Sequence, residues 1–462
     1  MPAASASAAD RSGVAARATP PRLTTRQRWW LAGVVLAGVA LRLAWAVYAT
    51  RAPVGLHDPT FYTLFAGELS AGRGYQLPDG QPTAYYPVGY PAALAAVFWL
   101  GDTLGLPGDR MDQVVALNLA ASAASIVLVH EVGRRLFDRR VGLAAAAGLA
   151  VMPNLVFHSG LALTETLFNA IALTAVLVVV ATAWERRHVG ALVAFGVLVG
   201  FAALVRPPSL LFVPVLALAG WRAAGWGRRE VARGLLVPGL AAAAVIAPWT
   251  VRNMVVMDAP ILISANVGDN LCIGNNPDAT GAFQLPPSCL DGYDHLQRPE
   301  YEVRRDADGR RKALEYIADE PLDQVRLVWL RALHTYRNDT DGLAAIESYG
   351  ADPFLGRSNR RALGVAANVT FFATLALGVA SVVAHRGRGG SRSADRTFAV
   401  FAAASLAVTP LAFFGDARFH VPVVPFLLIG AAAVLVTAVD RVGRRSDAGR
   451  EDASREDASR SS

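Results

Sequence analysis

Long runs of apolar residues recur along the chain and dominate its pattern. Ten of them are long enough, or nearly so, to cross a hydrocarbon core of about 30 Å as helices. Strands do not explain runs of this length, and lipid requires each span to satisfy its own backbone hydrogen bonds, so we predict helices. The predicted spans are 31–48, 114–132, 141–157, 161–184, 189–205, 209–221, 235–249, 363–384, 398–414 and 421–439.

Clusters of arginine alternate with these runs and predict how the chain is oriented. They precede the first run, follow the last, and occupy 134–140, 186–187, 222–233 and 386–396, whereas the intervening loops hold few basic residues. Because basic residues are retained on the cytoplasmic side, we place the rich segments and both termini inside. The apolar segment 90–104 is then predicted to stay at the outer surface without crossing.

Composition agrees with a multi-pass protein of the cell membrane. The chain is 53% hydrophobic and 18% charged, which is less charge than soluble proteins carry. The net charge of +7 follows from the loop arginines, so it gives no reason to expect a nucleic-acid partner. We therefore predict an all-α polytopic membrane protein of about ten transmembrane helices, with outer juxtamembrane helices and one small extracytoplasmic domain.

The loops and tails divide the chain into five parts. We predict disordered cytoplasmic tails at 1–28 and 441–462, an N-terminal transmembrane core at 29–252 with a first outer loop at 49–112, an extracytoplasmic insertion at 253–360, and C-terminal transmembrane helices at 361–440. Within the insertion, 315–336 has helical periodicity. Both cysteines, Cys272 and Cys289, lie there, and the sequence leaves open whether they form a disulfide or two free thiols.

Two acidic residues stand where predicted helices meet the outer surface. Asp58 precedes an apolar pattern at helical spacing that predicts a short helix on the membrane. Because Pro59 follows, Asp58 is either a helix N-cap or a catalytic carboxylate. Glu165 follows Thr164 at the start of the span 161–184, and there a capped first-turn acid and a functional acid are again the two interpretations.

Arginines on the outer side run against the inside bias and need an explanation. Arg206 precedes two prolines, and Arg418 lies in the last outer loop. Guanidinium binds phosphate in a bidentate fashion, which makes Arg418 and then Arg206 candidates to bind a phosphate group. The alternative is an ion pair with a nearby acid such as Asp416. Arg42, inside the first span, is expected to line a cavity or pair internally.

Aromatic residues among prolines follow the first loop. Tyr85, Tyr86 and Tyr90 suit either a belt at the headgroup level or an apolar wall for a lipid chain or acceptor. His158 and His420, at the outer ends of two spans, are added to this candidate wall.

Together these features resemble the C-type glycosyltransferase superfamily, and within it the bacterial relatives of protein O-mannosyltransferases and of lipid A aminoarabinose transferase. The resemblance covers 29–440, and a short run at 274–277 resembles the start of the insertion in actinobacterial members. Its motifs, in order, are Asp58 in the first outer loop, YYPVGYP at 85–91, TE at 164–165, PWTVRN at 248–253 and RFHVPVVP at 418–425.

The resemblance implies a function and roles for particular residues. It implies a sugar donor carried on polyprenyl phosphate, a glycan, lipid or protein acceptor, and inversion at the anomeric carbon on the extracytoplasmic side. Asp58 would be the catalytic residue and Glu165 the second acidic site. Many relatives carry an acidic pair in the first loop, where this chain has His57 and Asp58. The need for a divalent metal is therefore left open, with Asp58, His57 and Glu165 as its candidate ligands.

Two other classes of function compete with a glycosyltransferase. A secondary transporter would place ionisable residues near the bilayer midplane, often in two related halves, whereas the acids here cluster at the outer rim and no internal repeat is visible. A non-catalytic envelope assembly protein would tolerate replacement of the outer acids. We predict the enzyme chiefly from the resemblance, and the implied acidic base and outer arginines at the membrane surface are consistent with a lipid-anchored phosphate donor.

Overall fold

The computed structural model describes residues 23–182, 184, 188–290, 292, 298–350, 353–385 and 392–460, with side chains to residue 444. This part of the chain is helical and holds only two isolated β-bridges. The helices are α1 (Thr25–Ala49), α2 (Asp58–Ser70), α3 (Gly89–Leu104), α4 (Arg110–Leu136), α5 (Arg139–Val151), α6 (Pro153–Phe157), α7 (Glu165–Ala181), α8 (Val189–Val205), α9 (Phe212–Ala223), α10 (Arg228–Val256), α11 (Val267–Gly274), α12 (Pro287–Leu290), α13 (Glu300–Asp319), α14 (Asp323–Tyr336), α15 (Asp341–Ser348), α16 (Arg357–Ala384), α17 (Ser393–Val408) and α18 (Val424–Arg460).

Every predicted span contains a helix, but the helices differ in length. Five in the described residues are long and apolar enough to cross a membrane alone: α1, α4, α10, α16 and the stretch Ala417–Arg444 that contains most of α18's apolar part. A bent pair, α5 with the segment Pro153–Gly160, would be a sixth. The helices α7 and α8 and the segment Pro207–Ala223 are shorter. The all-helical membrane fold is therefore confirmed, and the count of ten crossings stays a prediction.

The bend between α5 and α6 is a break of 57° that sequence explains. Pro153 has no N–H to donate to the carbonyl of Leu149. Buried Arg42 on α1 supplies the missing donors, with Nη2 to Leu149 O at 2.9 Å and Nη1 to Ala150 O at 2.7 Å. Arg42 thus pairs internally, as expected, but with backbone carbonyls and not with an acid. These carbonyls need such donors because lipid offers none.

Small residues allow the long helices to approach closely, as is usual between helices in membranes. In the contact of α8 with α10, a Cβ built on Gly196 would lie 2.3 Å from the carbonyl oxygen of Pro238. In the contact of α16 with α18, Gly378 and Gly430 face each other, and a Cβ on Gly430 would lie 3.2 Å from the Cα of Gly378. These contacts leave no room for a larger side chain.

Helices α11 to α15 lie in the large insertion between α10 and α16, which we define as residues 257–356. The periodicity of 315–336 is confirmed, with a break between α13 and α14. Cys272 on α11 and Cys289 on α12 form a disulfide, with their Cα atoms 6.0 Å apart. This decides between the two states that the sequence left open.

Residues beyond the last span differ from the prediction of a disordered tail. The structure continues α18 as a helix to Arg460. The repeated Arg-Glu-Asp-Ala-Ser unit supplies Arg, Glu and Ala, which have high helix propensity, and this favours continuing a helix that is already nucleated. Most of the N-terminal tail, residues 1–22, lies outside the described residues.

Candidate active site

Asp58 begins α2 and points its carboxylate at two donors. Its Oδ1 accepts from the Tyr86 hydroxyl at 2.8 Å, and its Oδ2 accepts from Arg418 Nη1 at 2.6 Å. His57, not Asp58, occupies the N-cap position, and no side chain caps this helix. The interpretation of Asp58 as an N-cap is therefore wrong. Because 31% of its side chain is exposed, the carboxylate stays accessible while paired.

Glu165 is the first residue of α7, directly after the broken span. The turn before it is fixed by Asn118, which donates to the carbonyls of Ser159 and Leu161 at 3.1 and 2.8 Å. The Glu165 side chain is fully buried, and its Oε1 accepts from two arginines, Arg206 and Arg418. Its Oε2 has no hydrogen-bond partner among the described residues.

Arg418 lies between the two acids and connects them. Its Nε donates to Glu165 and its Nη1 to Asp58. The backbone N–H of Arg418 donates to Asp416 Oδ1 at 2.9 Å, which starts the short 3-10 turn Ala417–Val423 and orients the side chain. The alternative that Arg418 forms an ion pair with Asp416 is thus wrong, because Asp416 contacts only the backbone and the guanidinium reaches the two distant acids.

Arg206 reaches the same carboxylate from the end of α8. Pro207 cannot continue the helix with an N–H donor, so Arg206 adopts an extended backbone there. Its Nη1 donates to Glu165 and, at 3.1 Å, to the hydroxyl of Thr164. Thr164 occupies the N-cap position of α7, but its side chain caps no backbone N–H. The guanidinium also lies 5.8 Å from the ring centre of Phe419.

Charge is nearly balanced in this cluster of two carboxylates and two guanidinium groups. A buried carboxylate such as Glu165 is stable only when it is paired and hydrogen-bonded, and the two arginines provide this. Within the described part of the chain, Nη2 of Arg418 and Nε and Nη2 of Arg206 donate to no protein group, and none is among the enclosed polar atoms. The cluster therefore presents spare N–H donors for an anion.

Of the three candidate wall tyrosines, only Tyr86 contacts the acids. Burial, followed by the charge of Asp58, raises the pKa of Tyr86 far above its usual range, so its hydroxyl remains a neutral donor. Tyr85 turns the other way and donates to Asp269 in the insertion at 2.8 Å. Tyr90 is completely buried against Tyr62, with ring centres 5.4 Å apart, and so faces the interior of the protein.

The two candidate wall histidines are also placed in the interior, each beside an acid of the insertion. His158 Nε2 lies 2.9 Å from Asp341 Oδ2, and His420 Nε2 lies 2.8 Å from Asp339 Oδ1. Asn154 donates to both acids, at 2.7 Å to Asp339 and 2.6 Å to Asp341. The structure therefore brings these histidines into a buried network and not to an open wall.

Sequence reasoning missed the two acids of this network. Burial raises the pKa of Asp339. Burial also acts to raise the pKa of Asp341, but the facing His158 outweighs it and lowers that pKa to about 2. The signal available in the sequence was the polar run 338–341 at the start of α15, in which two acids stand close together.

A divalent metal does not fit the residues as they are arranged. Among the described residues there is no group of three His, Cys, Asp or Glu side chains able to hold a metal ion. Asp58 and Glu165 share the guanidinium of Arg418, so a cation between them would have to displace it. The ring of His57 lies beside Tyr349, with ring centres 5.0 Å apart. We derive no chemical step through a metal.

Comparison with known proteins finds a family match over part of the chain and a shared fold over most of it. Residues 91–251 match the family described as dolichyl-phosphate-mannose-protein mannosyltransferase. No curated protein sequence matches the chain. Archaeoglobus fulgidus oligosaccharyltransferase AglB, in complex with an inhibitory peptide and a dolichol-phosphate, is 12% identical with a TM-score of 0.54, over 93% of this chain and 52% of that one. The same enzyme with Zn and sulfate is 15% identical with a TM-score of 0.52, over 90% and 50%.

The chain thus spans about half the length of the archaeal enzyme that it matches. ArnT from Cupriavidus metallidurans is also similar, with 14% identity and a TM-score of 0.41 over 89% of this chain and 78% of that one, a value too low to support an argument. The family match and the fold confirm the expected resemblance. The chain is therefore similar to the mannosyltransferase family over residues 91–251, and it shares the fold of the archaeal oligosaccharyltransferase.

Proposed function

We propose that this protein transfers a sugar from a polyprenyl-phosphate donor to an acceptor hydroxyl at the outer face of the cell membrane, with inversion at the anomeric carbon. The observation that carries the proposal is the bridge of Arg418 between Asp58 and Glu165, with Arg206 on the same carboxylate. This arrangement puts a partly exposed carboxylate beside guanidinium groups that have N–H donors to spare. The base for the acceptor and the binding groups for the donor phosphate would therefore lie side by side in one site.

The two arginines would bind the donor phosphate. A phosphate leaving group gains negative charge as the glycosidic C–O bond breaks, and donors already held in place stabilise that charge most. Glu165 accepts hydrogen bonds from both guanidinium groups, and it is too deeply buried to contact the acceptor hydroxyl. We therefore assign Glu165 to the positioning of Arg206 and Arg418, and the phosphate to their unused N–H groups.

Asp58 would act as the base. The acceptor oxygen attacks the anomeric carbon, its proton passes to the Asp58 carboxylate, and the electron pair of the breaking C–O bond goes to the phosphate oxygen. The Tyr86 hydroxyl, which donates to Oδ1, holds the carboxylate in one orientation. When the donor phosphate accepts from the Arg418 guanidinium in place of Asp58, Oδ2 of Asp58 becomes free to take the proton of the acceptor hydroxyl.

The position of the site relative to the membrane supports a lipid-anchored donor. Asp58, Glu165, Arg206 and Arg418 all lie at the ends of helices and not within them. A carrier held in lipid can present its phosphate only at the membrane surface. Arginine-rich segments lie at the far ends of α7, α8 and α18, which supports an outer position for Glu165, Arg206 and Arg418, and Asp58 contacts Arg418 there.

A panel of donors tests the proposed function. Purified protein in lipid vesicles is supplied with polyprenyl phosphates that carry different radiolabelled sugars, together with a cell-envelope extract as the source of acceptor. We expect one donor to be consumed and its label to appear in a product of inverted anomeric configuration. If no donor is consumed, or if label is carried across the membrane without bond cleavage, the proposal is wrong.

A further inference from the structure

The insertion contacts two segments that carry site residues. The first is the loop between α2 and α3, residues 71–88, which we call the Tyr86 loop. The second is the segment 413–418, which we call the Arg418 loop. Each of these contacts is made by buried or close-packed groups of the insertion, and none of the residues involved has a place in the chemistry described above.

Glu302 on α13 anchors the Tyr86 loop. Its side chain is buried, with 1% of the residue exposed. Its Oε1 accepts from the hydroxyl of Thr83 at 2.6 Å, and its Oε2 accepts from the backbone N–H of Ala84 at 2.9 Å. One carboxylate thus holds a side chain and a backbone N–H of the loop, three and two residues before Tyr86.

Asp269 on α11 anchors the next residue of the same loop. Its Oδ2 accepts from the Tyr85 hydroxyl at 2.8 Å, and Arg305 of α13 neutralises it, with Nη2 at 2.7 Å from the same oxygen. Tyr85 and Tyr86 pack edge to face, with ring centres 4.9 Å apart. The hydroxyl of one is thus fixed to the insertion, and the hydroxyl of the other to Asp58.

Arg331 on α14 bonds to the chain just before the Arg418 loop, and its carbonyl oxygen packs against Gly415 within the loop. It is buried, and its Nη1 donates to the carbonyl of Leu411 at 2.7 Å while its Nη2 donates to the carbonyl of Gly274 at 2.8 Å. The backbone N–H of Gly415 donates to Gly281 at 2.7 Å. A Cβ on Gly274 would lie 1.7 Å from the carbonyl oxygen of Phe413, so the insertion and this loop are in direct backbone contact.

The groups that anchor the two loops belong to one packed unit of the insertion. The backbone N–H of Gly268 donates to Asp306 Oδ1 at 2.6 Å, and a Cβ on Gly268 would lie 1.8 Å from the carbonyl oxygen of Asp306. Helices α11 and α13 therefore lie in close contact, and the disulfide joins α11 to α12. A displacement of this unit would move both loops at once.

We propose that the insertion is a clamp that holds Tyr86 and Arg418 at their distances from Asp58, and that Glu302, Asp269 and Arg331 are positioning residues for the transfer reaction. This inference rests on the proposed function, since it assigns the insertion a part in the same site. The insertion would act here by positioning and not by binding a substrate, because Glu302, Asp269 and Arg331 contact the loops and not an open surface. Misplacement of a reacting group by about 1 Å is enough to lower a rate a hundredfold.

The hydroxyl of Tyr85 offers the most selective test. Tyr85→Phe keeps the ring that a lipid or acceptor wall would use and removes only the bond to Asp269. We expect kcat to fall about tenfold to a hundredfold while the affinity for unglycosylated polyprenyl phosphate stays within about threefold, because the Arg418 loop is anchored separately. Tyr316→Phe is the matched control, since its hydroxyl donates to Asp323 at 2.6 Å elsewhere in the insertion.

Hydrogen exchange supplies a second measurement that needs no activity. In Glu302→Gln, whose side chain keeps its size, we expect amides of residues 85–88 to exchange faster than in the wild type or in Tyr316→Phe. If the wild type transfers no sugar, the proposed function fails and the exchange rates alone decide whether the clamp exists. If Tyr85→Phe keeps its kcat and Glu302→Gln keeps slow exchange at 85–88, the insertion does not position the site and the inference is overturned.

Discussion

Arg418 donates to Asp58 through Nη1 and to Glu165 through Nε, which leaves Nη2 for a ligand. A planar guanidinium can serve three partners in this way because its donors diverge in a fixed fork, whereas an ammonium group acts as a point charge. At the scale of single residues, then, the proposed chemistry depends on the shape of this cation as much as on its charge. The two acids hold the fork in place before any donor arrives.

Substitution of Arg418 by lysine tests this dependence on shape. Arg418→Lys keeps the charge but cannot reach both acids and a phosphate together, so we expect the Kd for polyprenyl phosphate to rise about tenfold or more. The measurement is a binding titration on purified protein. Arg110→Lys is the matched control, because Arg110 forms a bidentate pair with Asp102 and is the exposed first residue of α4, outside the site.

If Arg418→Lys binds polyprenyl phosphate as tightly as both the wild type and Arg110→Lys, Arg418 does not bind phosphate. Its contacts with Asp58 and Glu165 would then be a structural ion pair. Arg206 would be the remaining cation of the cluster to test by the same titration.

At the scale of helices, the site depends on a span that does not run straight. The break at Pro153 ends α5, and the chain then turns so that α7 begins with Glu165. Asn118 fixes that turn, and Arg42 satisfies the carbonyls that the break exposes. Irregular backbone at membrane depth is tolerated only where protein groups satisfy its hydrogen bonds. Asn118 and Arg42 do this here, and they thereby allow the chain to turn so that Glu165 begins α7.

Removal of the Arg42 donors should destabilise the protein. In Arg42→Met the carbonyls of Leu149 and Ala150 lose their donors, and each unsatisfied buried acceptor costs about 1–3 kcal/mol. We expect a lower thermal midpoint in detergent and reduced donor binding, because the start of α7 loses its support. Arg222→Met, at an exposed position on α9, is the control. An unchanged midpoint in Arg42→Met would mean that the break is stabilised by other contacts.

At the scale of the whole molecule, the orientation of the chain decides whether the site can meet a lipid-linked donor. Both native cysteines are joined in a disulfide, so single cysteines can be added without removing them. Leu322 in the insertion is 85% exposed, and His188 before α8 is exposed as well. We expect Leu322→Cys to react with an impermeant maleimide on intact cells, and His188→Cys to react only after permeabilisation.

The opposite labelling pattern would put Glu165 and Arg418 on the cytoplasmic side. A donor whose phosphate lies at the outer surface could not then reach them. The pattern would therefore contradict the orientation inferred from the arginine clusters, and with it the proposed site of transfer.

Much of this arrangement could be predicted from the sequence, and what could not has a physical reason. Apolar runs predicted the helices because length and hydrophobicity alone determine which segments can lie in lipid. Arg206 and Arg418 could be singled out because arginine is rare on the predicted outer side, and Asp58 and Glu165 because each is an acid at the predicted outer start of an apolar helix. That Asp58 and Glu165 share the guanidinium of Arg418 could not be predicted, since this contact depends on how distant helices pack.

The hydrogen-bond partners of the other candidate residues could not be predicted from the sequence for the same reason. Tyr85, His158 and His420 bond to Asp269, Asp341 and Asp339, all in the insertion. A run of helical periodicity shows that a segment folds but not against which loop it packs. The count of crossings also stays a prediction, because α7, α8 and the segment Pro207–Ala223 are short for a bilayer.

The central claim is that Asp58 is the base in sugar transfer, and its most direct test is the single-turnover rate of Asp58→Asn with saturating donor and acceptor. The amide oxygen can still accept from Tyr86, so the loop keeps that bond, but the side chain can no longer take a proton. We predict a rate at least about a hundredfold below wild type in a folded protein, with Asp102→Asn near normal as the control. A rate for Asp58→Asn equal to that of the wild type would contradict the account.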